Sequence, residues 1–143
     1  MREWILFGLI LVAFIATAFW EAYSECEFVG ASRACDWRIK IWKKEIHGYH
    51  IFLWGVTFPV LLILPLIAAG FSWHLFRFIA AGYFIGSVLE DFLWFVVNPR
   101  YPFSKWNSRE TTWYKWLKVG KFELPAFYLP YLILGVGLLF WRV

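Results

Sequence analysis

Glu90 and Asp91 sit side by side in FIGSVLEDFLWFVVNP (84–99), a stretch that is otherwise almost wholly apolar. Adjacent carboxyls in such a setting can ligate a metal ion, move a proton as general acid or base, or pair with cations. Each carboxylate costs about 2.5–3.5 kcal/mol near the centre of a membrane span, so its presence demands compensation. His47 and His50 in EIHGYH are three residues apart and can share one helical face. With Glu123, at the start of the last apolar run, they complete a predicted metal site of His47, His50, Glu90, Asp91 and Glu123. Zn²⁺ is the divalent ion that best matches imidazole and carboxylate donors.

In steps of three and four, Tyr83, Ser87, Glu90 or Asp91, Trp94 and Asn98 form a single stripe. Glu90 and Asp91 lie ~100° apart around the axis, so they flank that stripe and can address different partners. Glu90 is ~12 Å along the helix from Asn98, below the headgroups but short of the opposite leaflet. Arg77 is ~20 Å away on the same helix and cannot be the partner. The set resembles the carboxylate–histidine sites built inside helical bundles, although the usual Glu-x-x-His repeat is absent. Glu123 also suits a helix N-terminus, and Asn98 a turn before Pro99.

The elements that position these residues follow from composition. The 143 residues are 62% hydrophobic and 24% aromatic, with 11 Trp, against about half apolar in an ordinary soluble domain. Uncharged runs cover 4–20, 51–71 and 124–141, and a fourth, 74–97, is broken only by His74, Arg77, Glu90 and Asp91. Each is near the ~20 helical residues that cross a hydrocarbon core. The expected fold is therefore all-α: one domain over 1–143, a bundle of four transmembrane helices. Short amphipathic helices are expected in the headgroup zone, in the first loop (WRIKIWKKEIHGYH) and the third (SRETTWYKWLKVGKF). Pro59 and Pro65 should kink the second span. Arg2, the apolar run and Ala16-Thr17-Ala18 have the form of a signal peptide; the expectation is that this helix is retained.

Eleven of the fourteen Lys and Arg residues fall in the first and third loops. By the positive-inside rule a multi-pass protein of the cell membrane results, with those loops cytoplasmic and the termini outside. Cys26 and Cys35 are spaced to close a disulfide in the first loop, which the reducing cytosol would oppose. No Gly-rich phosphate loop, GxSxG, CxxC or internal repeat is present, and the partners expected are membrane lipids and a lipid-like small molecule, not nucleic acid.

The leading expectation is a metal-dependent enzyme that hydrolyses a lipid ester or phosphoester, with Glu90 and Asp91 catalytic. Lys43, Lys44 and Arg100 would hold an anionic headgroup, and Asn98, Trp94, Tyr83 and Trp54 would line the substrate. The alternative needs no metal or other cofactor. In it, Glu90 or Asp91 protonates an alkene during isomerisation or cyclisation of a sterol or isoprenoid, and aromatic faces stabilise the cation. That chemistry requires an enclosed apolar pocket ending at a carboxyl. A cation or proton transporter, which would need a homo-oligomer, and a non-catalytic membrane subunit are the remaining readings.

Overall fold

The structure, a computed structural model, describes residues 1–28, 37–41 and 44–141. Three of its helices are long and apolar enough to cross a membrane: α1 (Arg2–Glu25), α2 (Gly48–Ala69) and α3 (Trp73–Val97). A fourth, α4 (Tyr128–Phe140), has 13 residues, ~20 Å of helix and short of a full ~30 Å core. The expected span over 124–141 is thus shortened at its start. Residues Phe122–Pro125 are taken by a strand instead.

The first span runs past the expected boundary at Trp20 to Glu25. Nothing in AYSE breaks a helix, and Ala18, Glu21, Ala22 and Glu25 continue the buried face begun by Ile10 and Phe14. The helix stops at Cys26, whose φ is +53° and whose N–H donates to Ala22 O at 3.2 Å. The second span contains a π turn at Leu53–Thr57, directly before Pro59. A proline ring collides with the carbonyl four residues back, here that of Gly55, and a wider turn makes room for it. Pro65 is carried within the regular helix that follows. Gly70, at φ +82°, then reverses the chain, and Ser72 Oγ accepts from Leu75 N at 3.4 Å to open α3.

The third span is the central element. Half of its most apolar stretch is buried, against 6% for α2, whose apolar side chains therefore face outward along most of its length. Gly82 and Gly86 of α3 form a Gly-x-x-x-Gly surface on which Ile10 and Phe14 of α1 lie; a Cβ on Gly82 would sit 2.9 Å from Ile10 Cγ2. Between helices in lipid such small residues supply the close packing that hydrophobic burial cannot. On the other flank, Gly135 of α4 meets Ile85, where a Cβ would approach Cγ1 to 2.6 Å. Phe14 also stacks on Phe58 of α2, with centroids 4.6 Å apart and planes 4° from parallel.

The amphipathic helices expected in the first and third loops are replaced by β-hairpins. β1 (Arg38–Ile41) pairs antiparallel with β2 (Lys44–His47), from Arg38↔His47 to Ile41↔Lys44. β3 (Trp116–Val119) pairs with β4 (Phe122–Pro125), from Trp116↔Pro125 to Val119↔Phe122. The physical reason is the period of the pattern. Arg-Ile-Lys-Ile alternates polar and β-branched residues every two positions, which is strand spacing. Gly120, at φ +61°, starts a two-residue turn with Lys121, the glycine-first arrangement of a tight hairpin. Trp37 precedes the first hairpin, covers Gly48 and accepts its N–H at 3.0 Å, so the hairpin leads directly into α2.

Candidate functional site

Side chains near the C-terminal ends of α1 and α3 and the N-terminal ends of α2 and α4 meet in one half of the bundle, with residues of the third loop. There they line a half-open cavity of about 320 Å³. The α3 stripe supplies Tyr83, Ser87, Glu90, Asp91 and Trp94 to its wall, and α2 supplies His50 and Trp54. Two apolar clusters bound it. Ile10, Phe14, Phe58 and Ile79 lie on one side, with Trp54 and Tyr83 against them; Ala22, Trp94, Phe95 and Tyr101 lie on the other, with Tyr114 against them.

Glu90 and Asp91 have separate surroundings. Asp91 accepts from two phenols, those of Tyr114 and Tyr128, the latter at 2.5 Å. Burial, and then the Asp91 carboxylate, raise the Tyr114 phenol well above its ordinary range, so its O–H remains a donor. Glu90 is 4% exposed, and its Oε1 has no hydrogen-bond partner among the described residues. Its carboxyl faces that of Glu21 within hydrogen-bonding reach. Glu21 Oε1 in turn accepts from Tyr49 OH at 2.6 Å. Glu25, one turn further along α1, lines the same cavity.

Glu21 and Glu25 are not among the residues expected from the sequence. The signal available was their spacing, which continues the Phe14–Ala18 face into a segment read as loop. Tyr114 and Tyr128 as partners of Asp91 have no sequence signal, being 23 and 37 residues away.

The remaining expected residues are dispersed. His47 ends β2 and does not line the cavity, although His50 does. Glu123 lies in β4, where Oε2 accepts from Ser108 N at 2.6 Å and Oε1 pairs with Lys118 Nζ at 3.0 Å. Among the described residues no three His, Cys, Asp or Glu side chains gather in an arrangement that could hold a metal ion. Arg100 is exposed in the turn after α3. Lys43, the Lys44 side chain and Cys35 lie outside the described residues, and with Cys35 the expected disulfide to Cys26.

Asn98 serves the turn rather than the cavity. Its Nδ2 donates to Cys26 O at 2.7 Å, and its Oδ1 accepts from Arg100 N at 2.9 Å and Tyr101 N at 2.8 Å. This one buried side chain ties the end of α1 to the end of α3. Asn98→Ala is expected to cost about 3 kcal/mol, since it removes three hydrogen bonds and strands buried partners. Thermal unfolding of the purified variant in detergent checks this; a melting temperature equal to that of the parent would contradict it.

Glu123 gives the third loop a pH dependence. The Ser108 N–H, followed by Lys118, lowers its carboxyl from 4.5 to about 2. The hairpin contact is therefore fully present above pH 4.5 and is lost as pH falls toward 2. The protection of the Ser108 amide, measured relative to its intrinsic exchange rate at each pH, should fall over that window; unchanged protection between pH 5 and about 2 would show that the contact contributes nothing.

No protein-family model, curated protein or solved structure matches the chain. Fold and site by themselves define a mostly helical protein, three of whose helices are long and apolar enough to cross a membrane, with an aromatic-walled cavity floored by carboxyls.

Proposed function

We propose that the protein is a membrane-embedded acid–base enzyme that moves a double bond, or closes a ring, in an isoprenoid or sterol-like lipid. The observation that carries this reading is the aromatic-walled cavity ending at Glu90, a buried carboxyl with an oxygen to spare. Proton transfer from the Glu90 carboxyl to an alkene carbon leaves a carbocation. Loss of a proton from a neighbouring carbon to the same carboxylate gives the rearranged alkene and restores the acid, whose proton exchanges with solvent before the next turnover. If Asp91 takes the proton instead, Asp91 releases it to solvent and Glu90 takes one up. Nothing else is consumed.

The surroundings suit these steps. Trp54, Tyr83 and Trp94 line the cavity, and aromatic rings stabilise a cation held against their π faces. Tyr49 and Glu21 hold the Glu90 carboxyl in place from one side. The two phenols on Asp91 fix a second carboxylate beside it. Metal-assisted hydrolysis is less well supported, because His47 and Glu123 lie away from the cavity and no metal-holding cluster gathers among the described residues.

Incubation of the protein in lipid nanodiscs with a panel of isoprenoid and sterol alkenes, read by chromatography and mass spectrometry, tests the reading. A product of unchanged mass and shifted double bond is expected. Release of a carboxylic acid or phosphate from an ester panel instead would favour hydrolysis. The basic residues that flank the hairpin end support an orientation with the cavity in the cytoplasmic half of the membrane. With Cys26 and Cys35 replaced by Ser, an impermeant thiol reagent should then label Lys121→Cys only from the cytoplasmic side; labelling only from outside would reverse the orientation.

A further inference from the structure

We propose that the cavity is a binding site for a lipophilic organic cation, an amphiphile with a protonated or quaternary nitrogen. The charge of the wall points to this. Glu21, Glu25, Glu90 and Asp91 line the cavity with a single imidazole, His50, and among the described residues no Lys or Arg lines it. Glu90 is buried, and its unpartnered Oε1 is free to meet a cation in the space beside it.

The rest of the wall selects the kind of cation. Trp54, Tyr83, Trp94, Trp113, Phe127 and Tyr131 surround the space with aromatic rings. Such a wall favours an alkylated nitrogen over a hydrated metal or ammonium ion, because ring faces attract a poorly hydrated cation and bury its alkyl groups. The volume lies near the lower end of the range of small-molecule sites, about 300–1,000 Å³, so the headgroup and the first part of a chain fit, with the remainder in the membrane.

The inference rests on the proposed reaction in one respect: an ammonium ion carries the charge of the carbocation that this chemistry would form. Its binding is nonetheless read without turnover. The probe is benzyltrimethylammonium, compared with neopentylbenzene, its uncharged isostere, on protein in a nitrogen-free non-ionic detergent. Trp54, Trp94 and Trp113 report through intrinsic fluorescence. The cation should give a saturable change, and the isostere none at equal concentration. Glu90→Gln should weaken cation binding at least tenfold, and Trp54→Leu, which leaves every carboxyl in place, should weaken it several-fold.

Equal binding of cation and isostere would overturn the proposal, as would full affinity in both variants. Turnover separates it from the reaction itself. Cation binding without any alkene product would leave a binding site and remove the enzyme. Product formation without cation binding would do the reverse.

Discussion

Glu90→Gln should abolish alkene rearrangement, with a rate at least ~100-fold below that of the parent and a fold that is retained. General acid catalysis by a positioned side chain contributes about 10²–10⁴-fold, and an amide has no acidic proton to give. The substituted amide can still hydrogen-bond to the Glu21 carboxyl, so the α1–α3 contact survives the change. Asp91→Asn separates the two carboxyls. Asp91 is enclosed by two phenol donors, and an amide nitrogen there would face an O–H. That variant should lose stability, with a smaller loss in rate. Equal loss of rate in both variants, with both folded, would mean that the two carboxyls act as a unit.

Gly86→Leu should be the most destabilising single substitution in the membrane half of the bundle, at about 3 kcal/mol. Phe14 of α1 lies directly on Gly86, in contact with the space that any Cβ would need. Phe14 is fully buried and stacked on Phe58, so its ring has no room to yield. The variant should unfold at lower temperature or lower denaturant, and Phe14→Ala in the same chain should recover part of the loss by clearing that space. If the double variant is no more stable than Gly86→Leu alone, the collision is not the cause.

These two expectations draw on features that were unequally legible in the sequence. The α3 stripe was readable because helical spacing is local: Tyr83, Ser87, Glu90, Asp91 and Trp94 all line the cavity, as steps of three and four require. Trp54 and His50 reach the same space from α2. Glu21 and Glu25 were hidden because a span is recognised by its uncharged run. Their carboxyls lie beyond Trp20, where that run ends, yet the helix and its inward face continue.

The hairpins were missed for a different reason. In WRIKIWKK the mix of aromatic and basic residues suits an interfacial helix, but Arg38–Ile41 alternates every two positions, and that strand period prevails once β2 pairs with it. Glu123 moved with them. As part of β4 it turns to Ser108 and Lys118 in the third loop, not to the cavity. The clasp on Asp91 depends on packing the third loop and α4 against α3, which no local pattern encodes.

The central claim is that Glu90 delivers a solvent-derived proton to an alkene held in the aromatic cavity. Mass spectrometry of an isoprenoid or sterol alkene incubated with the protein in D₂O measures that transfer directly. The account predicts one deuterium per turnover, bonded to carbon next to the shifted double bond or closed ring, and none with Glu90→Gln. Rearranged product without deuterium, or undiminished incorporation by folded Glu90→Gln, would contradict it.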